Sequence, residues 1–133
     1  MKKLTIILLL TSFVLACKDK NRVVEPQDGP AKLVMLETEY NFGELSNNNE
    51  VVEHEFHFVN KGSKKLVISK VRPLCHCTVV DYPKEPVKPG HEGVFKVYLD
   101  VNELSPGFFT RTIEIYSNGD TERATLFIRG NKQ

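Results

Sequence analysis

Val52-Glu53-His54-Glu55-Phe56-His57-Phe58 is the stretch that decides the fold. Val52, His54, Phe56 and Phe58 alternate with Glu53, Glu55 and His57, so an extended chain carries a largely apolar row on one face and a polar row on the other. The period is two, not 3.6. Val94–Val101 repeats it, with Phe95, Val97 and Leu99 sharing a face.

Outward from these two strands the same reading continues. A first strand covers Leu33–Leu36, with Phe42-Gly43-Glu44-Leu45 as a short continuation before the turn Asn47-Asn48-Asn49. Asn60-Lys61-Gly62 ends the second strand, and Leu66, Val67, Ile68 and Val71 make a third. Thr78–Tyr82 is a short fourth, stopped by Pro83, Pro86 and Pro89-Gly90, whose missing amide donors forbid central-strand pairing. After Val94–Val101, Phe109, Ile113 and Ile115 mark a sixth strand, Asn118-Gly119-Asp120 a turn, and Ala124, Leu126 and Ile128 the last. No segment offers a helical stripe of useful length. About seven short strands with turn signals between them predict an all-β, immunoglobulin-like antiparallel sandwich. An open barrel is the alternative. The Cys…Trp…Cys core of antibody domains is missing, since the chain has no Trp.

The amino terminus reads differently. Lys2 and Lys3 precede an apolar run from Leu4 to Leu10, then Thr11-Ser12 and Phe13-Val14-Leu15-Ala16-Cys17, the layout of a cleavable export signal. The run is shorter than the roughly 20 residues of a membrane-spanning helix. Val14-Leu15-Ala16-Cys17 resembles the bacterial lipobox, which implies that Cys17 is acylated and becomes the first residue; an ordinary signal peptide with an incidental cysteine is the alternative. The expected organisation is a signal peptide at 1–16, a lipidated Cys17 and flexible linker at 17–32, and the sandwich at 33–133. The linker assignment follows from charges, Asn, Gln, Pro26, Gly29 and Pro30 with almost no apolar residues. Lys18-Asp19-Lys20 partly resembles the Lys-plus-acidic tag of surface-exposed lipoproteins. The expected location is therefore the cell envelope, lipid-anchored at the outer membrane, on either face.

Loss of a 16-residue leader leaves 117 residues and moves the formal charge from +1 to −1. That length suits one domain with a real core. Near-neutral balance, with Lys and Arg scattered among Asp and Glu, argues against a nucleic-acid partner.

With Cys17 given to lipid, Cys75 and Cys77 remain, too few for a disulfide framework. In a regular strand they share a face with Cα atoms about 6.4–6.8 Å apart, at the outer limit of disulfide geometry. Four readings stay open: small core residues, a local disulfide that is readily reduced, a soft-metal site for copper or zinc with His76 or His91, and thiol redox chemistry. His76 points to the opposite face of a regular strand, and no helix start lies nearby to favour a thiolate. His54 and His57 fall on opposite faces, and Glu53 and Glu55 form a solvated row. No nucleophile elbow, phosphate loop or metal-binding helix is present, so no enzyme and no dedicated cofactor is expected.

Cys75-His76-Cys77-Thr78, together with Tyr40-Asn41-Phe42-Gly43, Phe58-Val59-Asn60-Lys61-Gly62, Tyr82-Pro83-Lys84-Glu85-Pro86, Val87-Lys88-Pro89-Gly90 and Tyr116-Ser117-Asn118, resembles the bacterial family called domain of unknown function 1573. Members usually carry Cys-Gly-Cys-Thr, so His76 departs from the pattern. The resemblance spans about Val34 to Gly130 and implies a Hydin-like immunoglobulin-type sandwich, in many members lipid-anchored. It implies no activity. The expected function is a non-enzymatic binding or scaffolding module for an envelope protein, peptide or glycan. Tyr82, Pro83, Lys84, Glu85 and Pro86 form its stiff candidate loop. A metal- or thiol-handling lipoprotein using Cys75, His76 and Cys77, and a purely structural envelope component, are the alternatives.

Overall fold

Phe56 and Phe58 point inward from the strand Val51–Asn60 (β3) and lie beside Phe95, Val97 and Leu99 of Glu92–Asp100 (β6), and all five are fully buried. The computed structural model describes residues 29–46 and 50–133. The expected leader, Cys17, most of the linker and the Asn47–Asn49 turn lie outside the described residues. β3 and β6 pair antiparallel from Val51 opposite Asp100 to Val59 opposite Glu92. This register sets Phe56 across from Phe95, and the rings of Phe58 and Phe95 stack at 4.7 Å. Each such burial contributes about 1.5–3 kcal/mol.

Leu33–Met35 (β1) and Thr78–Asp81 (β5) complete the first sheet in the order β1-β3-β6-β5. The second sheet is built from Glu39–Leu45 (β2), Ile68–Pro73 (β4), Gly107–Ser117 (β7) and Arg123–Lys132 (β8), in the order β2-β8-β7-β4. Ile113 and Ile115 of β7 and Leu126 and Ile128 of β8 face the phenylalanines across the gap and are fully buried. The protein is an all-β sandwich of immunoglobulin type, as the alternation predicts.

Its edges differ in detail from the sequence reading. The first strand and its continuation are two strands in different sheets: β1 pairs with β3, and β2 with β8. The chain crosses between sheets at Leu36-Glu37-Thr38, where Leu36 N–H bonds the His57 carbonyl and Phe127 N–H bonds the Thr38 carbonyl. Because the crossed segment keeps its direction, β2 runs parallel to β8; the other strand pairs described are antiparallel. The described residues form eight strands, where the pattern suggested about seven. Leu66 is in an isolated bridge to Val87, and the third predicted strand begins only at Ile68.

The end of the expected linker is part of the domain. Ala31 is 2% exposed and bridges Gly119, and Asp120 N–H bonds its carbonyl. Lys61 N–H bonds the Lys32 carbonyl, and Gly29 N–H bonds Ser63 Oγ. Gly62 permits this approach: a Cβ there would lie 2.3 Å from the Pro30 carbonyl oxygen. One apolar residue among polar neighbours gives no periodic signal, and the docking is made by backbone groups.

Asn60 joins these pieces from a fully buried position. Its Oδ1 accepts from Lys32 N–H and Gly62 N–H, and its Nδ2 donates to the Lys64 and Val87 carbonyls. Its own backbone bonds His91 and Gly90. Asn118 repeats the device on a smaller scale, with Oδ1 accepting from Val67 N–H and Nδ2 donating to the Lys65 carbonyl.

Candidate functional site

β4 ends at Pro73 on the edge of one sheet and β5 begins at Thr78 on the edge of the other, so Leu74-Cys75-His76-Cys77 must turn the chain across the sandwich. Three backbone bonds pin that turn: Leu74 N–H to the Thr112 carbonyl, Thr78 N–H to the Cys75 carbonyl, and Asp100 N–H to the Cys77 carbonyl. The bend brings the Cα atoms of Cys75 and Cys77 to 5.2 Å, inside the range a disulfide needs, and the two are bonded. A regular strand was the premise of the wider spacing expected from the sequence.

The two sulfurs have different surroundings. Cys77 is 2% exposed, and its Sγ lies 3.6 Å from Thr78 Oγ1. Cys75 is half-buried, lines two hollows at the turn, and its Sγ accepts from the Cys77 N–H at 3.2 Å. His76 points outward, with its Nε2 3.2 Å from Glu103 Oε2. The cysteines are thus engaged with each other while the imidazole faces a carboxylate, and among the described residues no three metal-donor side chains converge. His91 is exposed and its Nδ1 contacts the Pro89 carbonyl.

Beside the turn, on the outer face of the first sheet, Val51, Val79 and Tyr98 meet His76, Cys77, Asp100 and Glu103 around a hollow of about 420 Å³. Val79 is 64% exposed and Val51 56%, so two apolar side chains lie open around this hollow. Asp100 is committed to capping Asn102 N–H in the 3₁₀ turn Val101–Glu103.

β5 is an open edge. The Cys77 carbonyl bonds β6, so the alternation of an antiparallel ladder turns the backbone groups of Val79 and Asp81 toward β6 as well. The N–H and carbonyl of Val80 therefore face away from the sheet. Sequence reasoning missed this pairing of an open edge with an apolar hollow. Val79-Val80 reads as a continuous apolar pair, and only the register tells which valine is outside.

The predicted loop divides. Tyr82 and Pro83 are half-buried, and Lys84, Glu85 and Pro86 form the exposed tip, with Lys84 Nζ 3.2 Å from the Tyr82 ring centre. Val87 returns to the core, exchanging two backbone bonds with Leu66. His54 and His57 lie on opposite faces. His54 stacks on Tyr40 at 3.5 Å and sets its Nε2 2.6 Å from Glu37 Oε1, locking the sheet crossing. Glu53 and Glu55 flank Lys96 at 3.6 and 3.3 Å, and the bond to Glu55, then the charge of Glu53, raise the Lys96 pKa above its ordinary value.

The motifs behind the family resemblance have mostly structural work. Asn60 and Asn118 are the clamps described above, and Asn41 Oδ1 accepts from Gly43 N–H at the β2 bulge.

Among solved structures, the chain overlays on a Porphyromonas gingivalis W83 protein of unknown function with TM-score 0.67 and 14% identity, covering 76% of this chain and 46% of that one. It overlays on the Vibrio cholerae VesB protease with TM-score 0.59 and 18% identity, covering 75% and 32%. A chain of the Acinetobacter baumannii CsuC-CsuE chaperone-tip adhesion subunit complex matches with TM-score 0.54 and 10% identity, covering 77% and 58%. The chain thus spans less than half the length of the first two, and likeness at these identities shows the fold alone. No curated protein sequence matches. The sequence model of the family described as protein of unknown function, DUF1573, matches residues 33–132, three-quarters of the chain and nearly all of the sandwich, and the chain belongs to that family.

Proposed function

We propose that this chain is a cell-envelope lipoprotein, tethered by acyl groups on Cys17, whose sandwich is a non-enzymatic binding module that takes an extended segment of another envelope protein along β5. The observation that carries this reading is the open edge of β5, with Val80 backbone groups directed outward and Val79 exposed beside the Val51–Tyr98 hollow. Edge backbone supplies affinity to an added strand, and a neighbouring apolar hollow takes one of its side chains. The overlay on a chaperone–adhesion subunit complex supports a protein partner in so far as the same sandwich serves such complexes elsewhere. The leader and the Val14-Leu15-Ala16-Cys17 pattern support the envelope location.

A photo-crosslinking residue in place of Val79, with one in place of Val67 as the comparison, tests this in intact envelopes. A reproducible protein adduct from position 79, absent from position 67 and lost when Val80→Pro removes the outward N–H, is expected. No adduct at position 79, or equal adducts at both, overturns it.

A further inference from the structure

Cys75 and Cys77 make a bridge whose two ends are chemically unequal, and this asymmetry is independent of the edge-strand reading. Thiol–disulfide exchange requires in-line access to one sulfur with the leaving sulfur on its far side and, when the reduced site attacks in turn, surroundings that favour a thiolate on the accessible sulfur. Access is greater at Cys75, which is half-buried and borders two hollows at the turn; Cys77 also borders a hollow, the one beside Val51, but is 2% exposed and packed into the core. A cation lines each hollow, Arg111 the one and Arg72 the other. Arg72 is paired with Glu114, but Arg111 bonds only the Thr110 carbonyl and stacks near the Phe109 ring, so among the described residues its charge meets no carboxylate. The Cys77 N–H already points at Cys75 Sγ, a donor that strengthens when that sulfur becomes an anion.

We propose that the Cys75–Cys77 bridge is a thiol–disulfide exchange site for a dithiol partner, with Cys75 as the sulfur attacked and, once reduced, as the nucleophile. A partner thiolate attacks Cys75 Sγ; the Cys75–Cys77 bond breaks, a partner–Cys75 bond forms, and Cys77 leaves as a thiolate that takes up a proton. The partner's second thiol, losing its proton, attacks the partner sulfur of the mixed disulfide and releases Cys75 as a thiolate. The partner dithiol loses two electrons to become a disulfide, and the bridge gains them as two thiols. The reverse sequence begins at the Cys75 thiolate, with Cys77 resolving the mixed disulfide.

The test uses the full chain in detergent, with Cys77→Ser treated with oxidised glutathione at pH 7 and the adduct mapped by peptide mass spectrometry. Capture at Cys75 is expected about tenfold faster than in a peptide of residues 71–81 carrying the same serine. Arg111→Ala is expected to bring the rate down toward that of the peptide. A rate equal to or below the peptide's overturns the proposal. If Cys77→Ser does not fold, the unaltered chain is titrated with dithiothreitol while intact mass and circular dichroism are followed. Opening of the bridge in the folded protein supports exchange, and opening only on unfolding overturns it.

Discussion

The side-chain amide of Asn60 donates to the carbonyl of Val87 at 2.9 Å, joining the end of β3 to a segment 27 residues further on. The same side chain holds Lys32, Gly62 and Lys64, so one residue closes the bottom of the sandwich. Asn60→Ala leaves buried carbonyls and amides without partners, each costing about 1–3 kcal/mol. Urea denaturation is expected to show a loss of about 3 kcal/mol or more. A loss under about 1 kcal/mol shows that water replaces the amide at no great cost.

Gly62 faces the Pro30 carbonyl so closely that a methyl group has no room. In Gly62→Ala the obstacle is backbone, so the first docked residues must move away from the sheet. The expected outcome is a domain weaker by about 1–3 kcal/mol, the cost of overpacking, and faster proteolysis on the amino-terminal side of Leu33. Unchanged cleavage there shows that Ala31 stays in place by another accommodation.

The two central strands were legible because both bury one face: Phe56, Phe58, Phe95, Val97 and Leu99 alternate in the chain as they do in the core. Alternation carries no information about which sheet a strand joins. Leu33–Met35 and Glu39–Leu45 therefore read as one strand with a continuation, although a three-residue crossing separates them. The candidate site was half legible. Cys75, His76 and Cys77 stood out by type, but their turn depends on where β4 and β5 lie in the two sheets. Val51, Val79, Tyr98 and Arg111 reach the site from other strands, and only the register brings them there.

The Cys75–Cys77 bridge closes a loop with a sequence separation of 2. Chain-entropy stabilisation grows with loop length and reaches about 3 kcal/mol only for loops of roughly 15 residues. The double variant Cys75→Ser, Cys77→Ser is therefore expected to fold and to lose less than about 2 kcal/mol in urea. A chain that no longer folds assigns the bridge to the framework of the domain.

Lys96 between Glu53 and Glu55 gives a pH dependence of known sign. Its folded pKa is raised, first by the Glu55 bond and then by the Glu53 charge. The protonated lysine is favoured by folding, so its contribution is present in full below the ordinary lysine value. It is lost as pH rises through the folded value. Lys96→Met is expected to lower Tm relative to the unaltered protein at pH 8, with the difference shrinking by pH 11. A difference that is constant over this range traces to packing of the lysine stem instead.

Cys17 is the residue on which the proposed location turns. One acyl chain gives only marginal, reversible membrane binding, whereas two or three together, at about 0.8 kcal/mol per buried methylene, hold a protein persistently. Among the described residues no helix is long and apolar enough to cross a bilayer. Cys17→Ala is therefore expected to abolish the diacyl mass on the mature chain and to prevent its stable anchoring. In cell fractionation the variant should leave the detergent-soluble membrane fraction or remain as unprocessed precursor. An unaltered chain that fractionates as free soluble protein, with a mass matching cleavage elsewhere and an unmodified cysteine, removes the anchor and with it the envelope partner proposed for β5.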